Sequence, residues 1–221
     1  MDDRRVFDRT IADSAEAVEK IAAEFRTGFA LVDQIDRPAV AVFGSARVPA
    51  DAATYEAARE IGRRFAAEGW AVITGGGPGV MEAANRGAHE AGGLSVGWNI
   101  KLPHEQASNP YVTLGHTFEH LYARKVCFTK PSEGFIAMPG GSGTLDELYE
   151  SLTLIQTGKM RHFPVVLFGS EHWGEMLDWL RRQLATDGLI SPGDVELLRV
   201  TDDPAEAVEI VIDCFARRCA L

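Results

Sequence analysis

Trp70-Ala71-Val72-Ile73-Thr74-Gly75-Gly76-Gly77-Pro78-Gly79-Val80-Met81-Glu82-Ala83-Ala84 reads as a strand, a glycine turn and the opening of a helix. The run Trp70–Ile73 is short and apolar without alternation, as in a strand covered on both faces. From Val80 to Ala91 the pattern is helical. The same unit recurs outward from this stretch. Further strands are predicted at Ala39–Phe43, Leu94–Trp98, Gly134–Met138, Pro164–Phe168 and Leu197–Val200. Further helices are predicted at Ala52–Glu68, Phe118–Lys130, Gly143–Thr157, Trp173–Ala185 and Pro204–Arg217. Strands alternating with helices of about ten residues or more imply βαβ units. The expected fold is therefore α/β, three layers, with a central parallel sheet flanked by helices.

The 221 residues suit one domain, residues 1–221, with residues 1–37 as a helical extension. That extension is predicted helical over residues 10–31, where Ile11, Ala15, Val18, Ala22, Phe25 and Phe29 form an apolar stripe. The stripe packs either on the core or on a partner subunit; spacing does not separate the two. Asn99–Asn109 is polar, contains proline and reads as a functional loop.

A net charge of −10 argues against nucleic-acid backbones and anionic membranes as partners, since both attract basic surfaces. One small anion remains compatible, because local backbone N–H groups and a few cations suffice for it. Three cysteines, Cys127, Cys214 and Cys219, without a CxxC pair, indicate neither a disulfide framework nor a cysteine zinc site. Met1–Asp8 is charged, unlike a signal peptide, and no apolar run approaches the roughly 20 residues of a membrane span. A cytoplasmic setting is expected.

Two strand-to-helix turns are rich in glycine: Thr74–Gly79 and Pro139-Gly140-Gly141-Ser142-Gly143-Thr144. Glycine lets a ligand approach the main chain, and the helix behind it offers unpaired N–H groups. Each turn is thus a candidate phosphate cradle, or merely a tight turn. Neither has the Lys-Ser/Thr of a P-loop. The turn after the first strand, Gly44-Ser45-Ala46-Arg47, lacks the dinucleotide fingerprint. No acid follows the Leu94–Trp98 strand, so a mononucleotide fits better than NAD or ATP.

Glu147 lies one turn into the helix after Gly143, beside Asp146, and Glu82 stands similarly after the other loop. Two such carboxylates can converge on one ribose, holding its hydroxyls and stabilising charge at C1′ during glycosidic cleavage. Equally, each can be a solvated first-turn acid. Arg124 and Lys125 are either surface charges or a pair directed at the site, where Arg124 would orient Glu147 or a phosphate. His116-Thr117-Phe118-Glu119-His120 matches the H-x-x-E-H zinc pattern, but Gly115 and Thr117 place the helix start after His116, and no metal is expected. None of the five lysines stands in a pyridoxal-phosphate context.

Together these segments resemble a known family. Pro139-Gly140-Gly141-Ser142-Gly143-Thr144-Leu145-Asp146-Glu147 is similar to the PGGxGTxxE signature of the cytokinin riboside 5′-monophosphate phosphoribohydrolases, the LOG family, long mislabelled lysine decarboxylases. Arg124-Lys125 resembles the family's RK pair, and Gly75–Ala84 its first glycine loop. The resemblance covers about residues 38–215.

It implies a Rossmann-like fold without NAD or any other cofactor. It implies hydrolysis of adenine-type nucleoside 5′-monophosphates to free base and ribose 5-phosphate. Arg124 and Glu147 map to the catalytic pair. Substrate and phosphate contacts are expected from Ser45, Gly75, Gly76, Gly77, Glu82, Lys125, Gly140, Gly141, Gly143, Thr144 and Asp146. Met81-Glu82-Ala83-Ala84 and the N-terminal helix look like the longer second subclass, implying a homo-oligomer built from dimers and extending to a hexamer. Plant-type members carry Tyr and Glu-Glu where this chain has Ser142 and Asp146-Glu147, a departure that bears on base preference. The competing reading is a nucleotide or molybdenum-cofactor carrier of the same fold. A single-stranded DNA-handling protein is disfavoured by the charge.

Overall fold

Short apolar strands without alternation can hold their position only in a sheet with helices on both faces. The computed structural model, which describes residues 11–102, 107–161 and 163–217, has that arrangement. Strands β1 (Ala39–Phe43), β2 (Ala71–Thr74), β3 (Ser95–Ile100), β4 (Leu114–Phe118), β5 (Ser132–Ala137), β6 (Val165–Phe168) and β7 (Leu198–Thr201) form one sheet. Their order is β4-β3-β2-β1-β5-β6-β7, and every neighbouring pair is parallel.

The pleat sends alternate residues to opposite cores. Val40, Val42 and Val72 pack with Ile61 and Phe65 under α2 (Ala53–Ala67), α3 (Val80–Glu90) and α8 (Pro204–Arg217). Ala41, Phe43 and Ile73 pack with Phe128, Leu148 and Trp173 on the face covered by α4 (Leu121–Thr129), α5 (Ser142–Gln156) and α6 (Ser170–Trp179). α1 (Ile11–Val32) lies against α4 and β4. Its later residues Phe25 and Phe29 pack on this core, while Ala15 and Val18 stay exposed. Core packing therefore accounts for only the second half of the predicted stripe.

Five elements differ from the sequence expectation. β4 lies where a loop running into a helix is predicted, and α4 begins at Leu121 instead of Phe118. β4 is an edge strand whose Gly115 and Thr117 are exposed, so it lacks the apolar run that marks the central strands. α6 continues through a wider π-helical stretch, Leu180–Ala185, and a five-residue α7 (Pro192–Glu196) is closed by a Ser191–Asp194 capping box. β3 also runs two residues further than expected, to Ile100.

His116 sits on β4 and His120 at the cap of α4, so the H-x-x-E-H residues do not share a helix face. Cys127 is free and buried. Cys214 is disulfide-bonded, a cross-link that the cysteine spacing did not indicate. Among the described residues no helix is long and apolar enough to cross a membrane. The segment Met1–Asp8 and Cys219 lie outside the described residues.

Candidate active site

The strand order reverses between β1 and β5, and open parallel sheets bind ligands at that switch point, beyond the carboxyl ends. A cavity of about 520 Å³ opens there, within the usual range for small-ligand sites. Its walls are the turns after β1, β2 and β5. The Met138 N–H donates to Phe43 O (2.8 Å) and the Ser45 N–H to Pro139 O (3.0 Å), which ties the first and third turns together. The Val80 N–H donates to Ser45 O (3.1 Å), which ties in the second. Gly79 makes that contact possible: its φ is +67°, and a Cβ there would lie 2.5 Å from Ser45 O.

The two glycine loops, alike in sequence, differ in what they leave open. In the first loop the polar groups are largely used by the protein. The Gly76 N–H donates to Thr74 Oγ1 (2.9 Å), and Asn109 bonds Gly76 O through its N–H (2.8 Å) and Gly77 O through Nδ2 (3.1 Å). In the second loop Gly141, Ser142, Gly143 and Thr144 line the cavity at the N-terminus of the 15-residue α5. An anion therefore fits the second loop, where amides and the helix dipole face open space.

Glu147 projects into this cavity one turn along α5 and is 6% exposed. Its carboxylate has no hydrogen-bond partner among the described residues. Burial pushes it up to about 7, against the pull of Lys125 and Arg124 and with a push from Glu150 and Asp146. Arg124 on α4 faces the same cavity. Its Nε donates to Trp98 O (2.6 Å), and its guanidinium stands 5.1 Å from the Phe128 ring centre. Gly75 has no side chain where Arg124 Nη2 lies, since a Cβ there would be 2.6 Å from that atom. Burial pulls the guanidinium down from its ordinary value, with Glu147 and Asp146 opposing. The two charged groups share the cavity without a direct ion pair.

Of the residues expected at the site, Arg124, Glu147, Ser45, Gly75, Gly77, Gly141, Gly143 and Thr144 line one cavity. Five do not. Gly76 sits behind the loop against the Asn99 side chain. Gly140 packs under Thr144, whose Oγ1 occupies the space a Cβ would need. Glu82 turns to α2 and accepts a hydrogen bond from Tyr55 Oη (2.9 Å), so it does not converge with Glu147. Lys125 and Asp146 pair with each other (3.0 Å) in a neighbouring groove, where Lys125 also holds Glu150 (2.7 Å). Burial works to lower the Lys125 ammonium, but those two bonds hold it above its ordinary value.

Two polar residues escaped the sequence reading. Arg47 is exposed at the cavity, without a carboxylate partner among the described residues. Asn99, 6% exposed, lines the wall and bonds Ser108 Oγ through Nδ2. Arg47 follows β1, one of the two strands at the switch point, while Asn99 lies near the carboxyl end of β3, a position that gains meaning once the strand order is known. The rest of the wall is apolar: Phe43, Met81 and Ile100.

An open parallel sheet with its cavity at the switch point, walled by glycine turns and holding a buried acid and a guanidinium, defines a Rossmann-like α/β protein. The family model described as "Possible lysine decarboxylase" matches residues 81–211. The cytokinin riboside 5′-monophosphate phosphoribohydrolase of Mycobacterium tuberculosis is 33% identical over 176 residues, covering 76% of this chain and 90% of that protein. Its counterpart in Mycobacterium marinum is 32% identical over 179 residues, covering 80% and 95%. The molybdenum cofactor carrier protein of Chlamydomonas reinhardtii superposes with a TM-score of 0.61 at 27% identity, covering 81% of this chain and 99% of that one. The chain belongs to the cytokinin riboside 5′-monophosphate phosphoribohydrolase family. None of its five lysines lines this cavity.

Proposed function

We propose that this chain hydrolyses the N-glycosidic bond of AMP-like nucleoside 5′-monophosphates, giving free base and ribose 5-phosphate. Glu147 carries the reading: a largely buried carboxyl that opens on the cavity without a hydrogen-bond partner among the described residues, raised to about 7, beside an anion cradle. A carboxyl held so serves no packing purpose, and its shift suits work near neutral pH.

In the proposed reaction the bond from C1′ to the base nitrogen breaks, and its electron pair leaves with the base. The base nitrogen takes up a proton from solvent, matched by the one that Glu147 later removes from water and returns. The sugar passes through an oxocarbenium-like state that a carboxylate beneath C1′ stabilises. Glu147 then takes a proton from water as the water oxygen bonds C1′. Arg124 holds Glu147 in its ionised form. The phosphate rests on the amides at the start of α5, with Arg47 as its cation, because Lys125 is committed to Asp146 and Glu150. Asn99 and the apolar wall receive the base. No metal or organic cofactor enters the scheme.

A homo-oligomer is part of the same proposal. Leu121 and Val126 on α4 and Tyr149 on α5 are exposed beside the cavity and suit a second copy.

The test is base release from AMP and from isopentenyladenosine monophosphate, followed by chromatography, for the native chain and for Glu147→Gln. Release that the variant abolishes supports the hydrolase. Retained AMP binding without release from the native chain moves the reading to a carrier, the role named for the Chlamydomonas reinhardtii neighbour.

A further inference from the structure

We propose that Glu24 on α1 is a positioning residue for the cavity: by closing the N-terminus of α4 it sets where Arg124 stands relative to Glu147. The proposal rests on the hydrolase reading for its kinetic expectation, and on geometry for the rest.

The start of α4 has no cap of its own. Its N-cap, His120, makes no side-chain capping bond, and its first turn contains no acid. The N-cap amide is held instead by a residue 96 positions before His120. The Glu24 carboxylate accepts hydrogen bonds from the backbone N–H groups of Glu119 and His120, the latter at 3.1 Å, and lies 2.7 Å from His120 Nδ1. Its side chain is 10% exposed and that of His120 is 8%. Arg124 begins one turn later, its N–H donating to His120 O (3.3 Å). A shift of the first turn therefore passes directly to the Arg124 backbone.

Other contacts make α1 a clamp along all of α4. A Cβ on Gly28 would stand 2.6 Å from Cys127 Sγ, so the helices touch closely there. Lys130 Nζ sits 5.0 Å from the Phe29 ring centre. On the opposite side, Trp98 Nε1 donates to Cys127 O (3.1 Å), and Trp98 O receives Arg124 Nε. Arg124 thus hangs between β3 and a helix that α1 holds in place. The charged and titratable groups around Glu24 are Glu119, His120, Cys127 and Lys130; Glu119 is itself paired with Lys101 (3.0 Å). Those around Glu147 are Arg124 and Lys125 from α4 and Asp146 and Glu150 from α5.

The test is made on the full chain with Glu24→Gln, Glu24→Asp and Phe29→Leu. The Glu147 carboxyl is titrated by ¹³C NMR, and turnover of AMP is measured beside it. Because Arg124 helps hold Glu147 ionised, its displacement moves the Glu147 titration upward, by about half a unit or more. Removing the Glu24 charge without displacement would move it downward, so the direction separates the two. Glu24→Gln is expected to shift the titration upward and lower kcat about tenfold or more, with KM for AMP changed less than about threefold. Glu24→Asp restores part of both. Phe29→Leu, which loosens α1 at the far end of α4, lowers the melting temperature and leaves the titration in place.

An unchanged or lower titration in Glu24→Gln overturns the proposal, even if the variant melts earlier. Absence of turnover in the native chain defeats the hydrolase reading alone, since the titration still reports where Arg124 stands.

Discussion

Glu147 is easier to bury as a neutral acid than as a carboxylate, and the proposed chemistry needs the carboxylate. Burial raises it from 4.5 to about 7. The folded state therefore binds a proton more tightly than the unfolded chain, and stability falls as pH rises from about 4.5 to about 7. Above that window the cost is on the order of 3 kcal/mol at most. Glu147→Gln is accordingly expected to abolish turnover and to raise the melting temperature at pH 8, with little gain at pH 4; calorimetry at the two pH values checks it. Native kcat/KM is expected to rise through an acidic limb near 7. A flat profile between pH 5 and 8 would remove Glu147 from its assigned role. Arg47 lends itself to a selectivity measurement. Arg47→Ala is expected to raise KM for AMP about ten- to hundredfold, the loss of one charge-assisted contact. It should leave any turnover of adenosine, which has no phosphate, unchanged. An equal loss on both substrates would place Arg47 elsewhere in the mechanism.

At the scale of elements, the site depends on three turns locked to each other more than on any one loop. Gly79 shows it. Alanine there meets both a positive φ and the Ser45 carbonyl, so Gly79→Ala is expected to cost about 2 kcal/mol or more, roughly 4–8 °C in melting temperature. Gly92 has a similar φ, +74°, with open space around it, so Gly92→Ala should cost about half as much. Equal melting temperatures for the two variants would show that the Ser45 contact is unimportant. The glycine loops looked equivalent in sequence. Their surroundings differ through Asn109, 32 residues beyond Gly77, which bonds the first loop's carbonyls and which no local signature announces.

At the scale of the whole molecule, the cavity opens beside α4 and α5, and these helices expose Leu121, Val126 and Tyr149. Light scattering is expected to give a mass that is a multiple of 24.0 kDa, with Leu121→Asp shifting it toward the monomer. A monomeric native chain would leave that apolar face without the second copy proposed for it. The exposed Ala15 and Val18 on α1 extend the same question to larger assemblies.

The alternation of strands and helices and the parallel sheet were legible in the sequence, because each rests on local pattern: apolar runs, helical spacing and glycine turns. Arg124 and Glu147 stood open between surface charge and site on spacing alone, and it was the family resemblance that singled them out. β4 was not legible, since an edge strand alternates and takes its register from its neighbour β3. The partners of Lys125, Asp146 and Glu82 were not, because a charge seen in sequence does not say which opposite group the packing brings near it. Nor was the part proposed for Arg47, which gains meaning only when the turn after β1 meets the loop that opens α5. Local periodicity determined the elements of this chain, and its motifs with their family resemblance suggested the chemistry. Side-chain direction and long-range pairing, which exist only after the sheet closes around its switch point, decided which of those residues share a cavity.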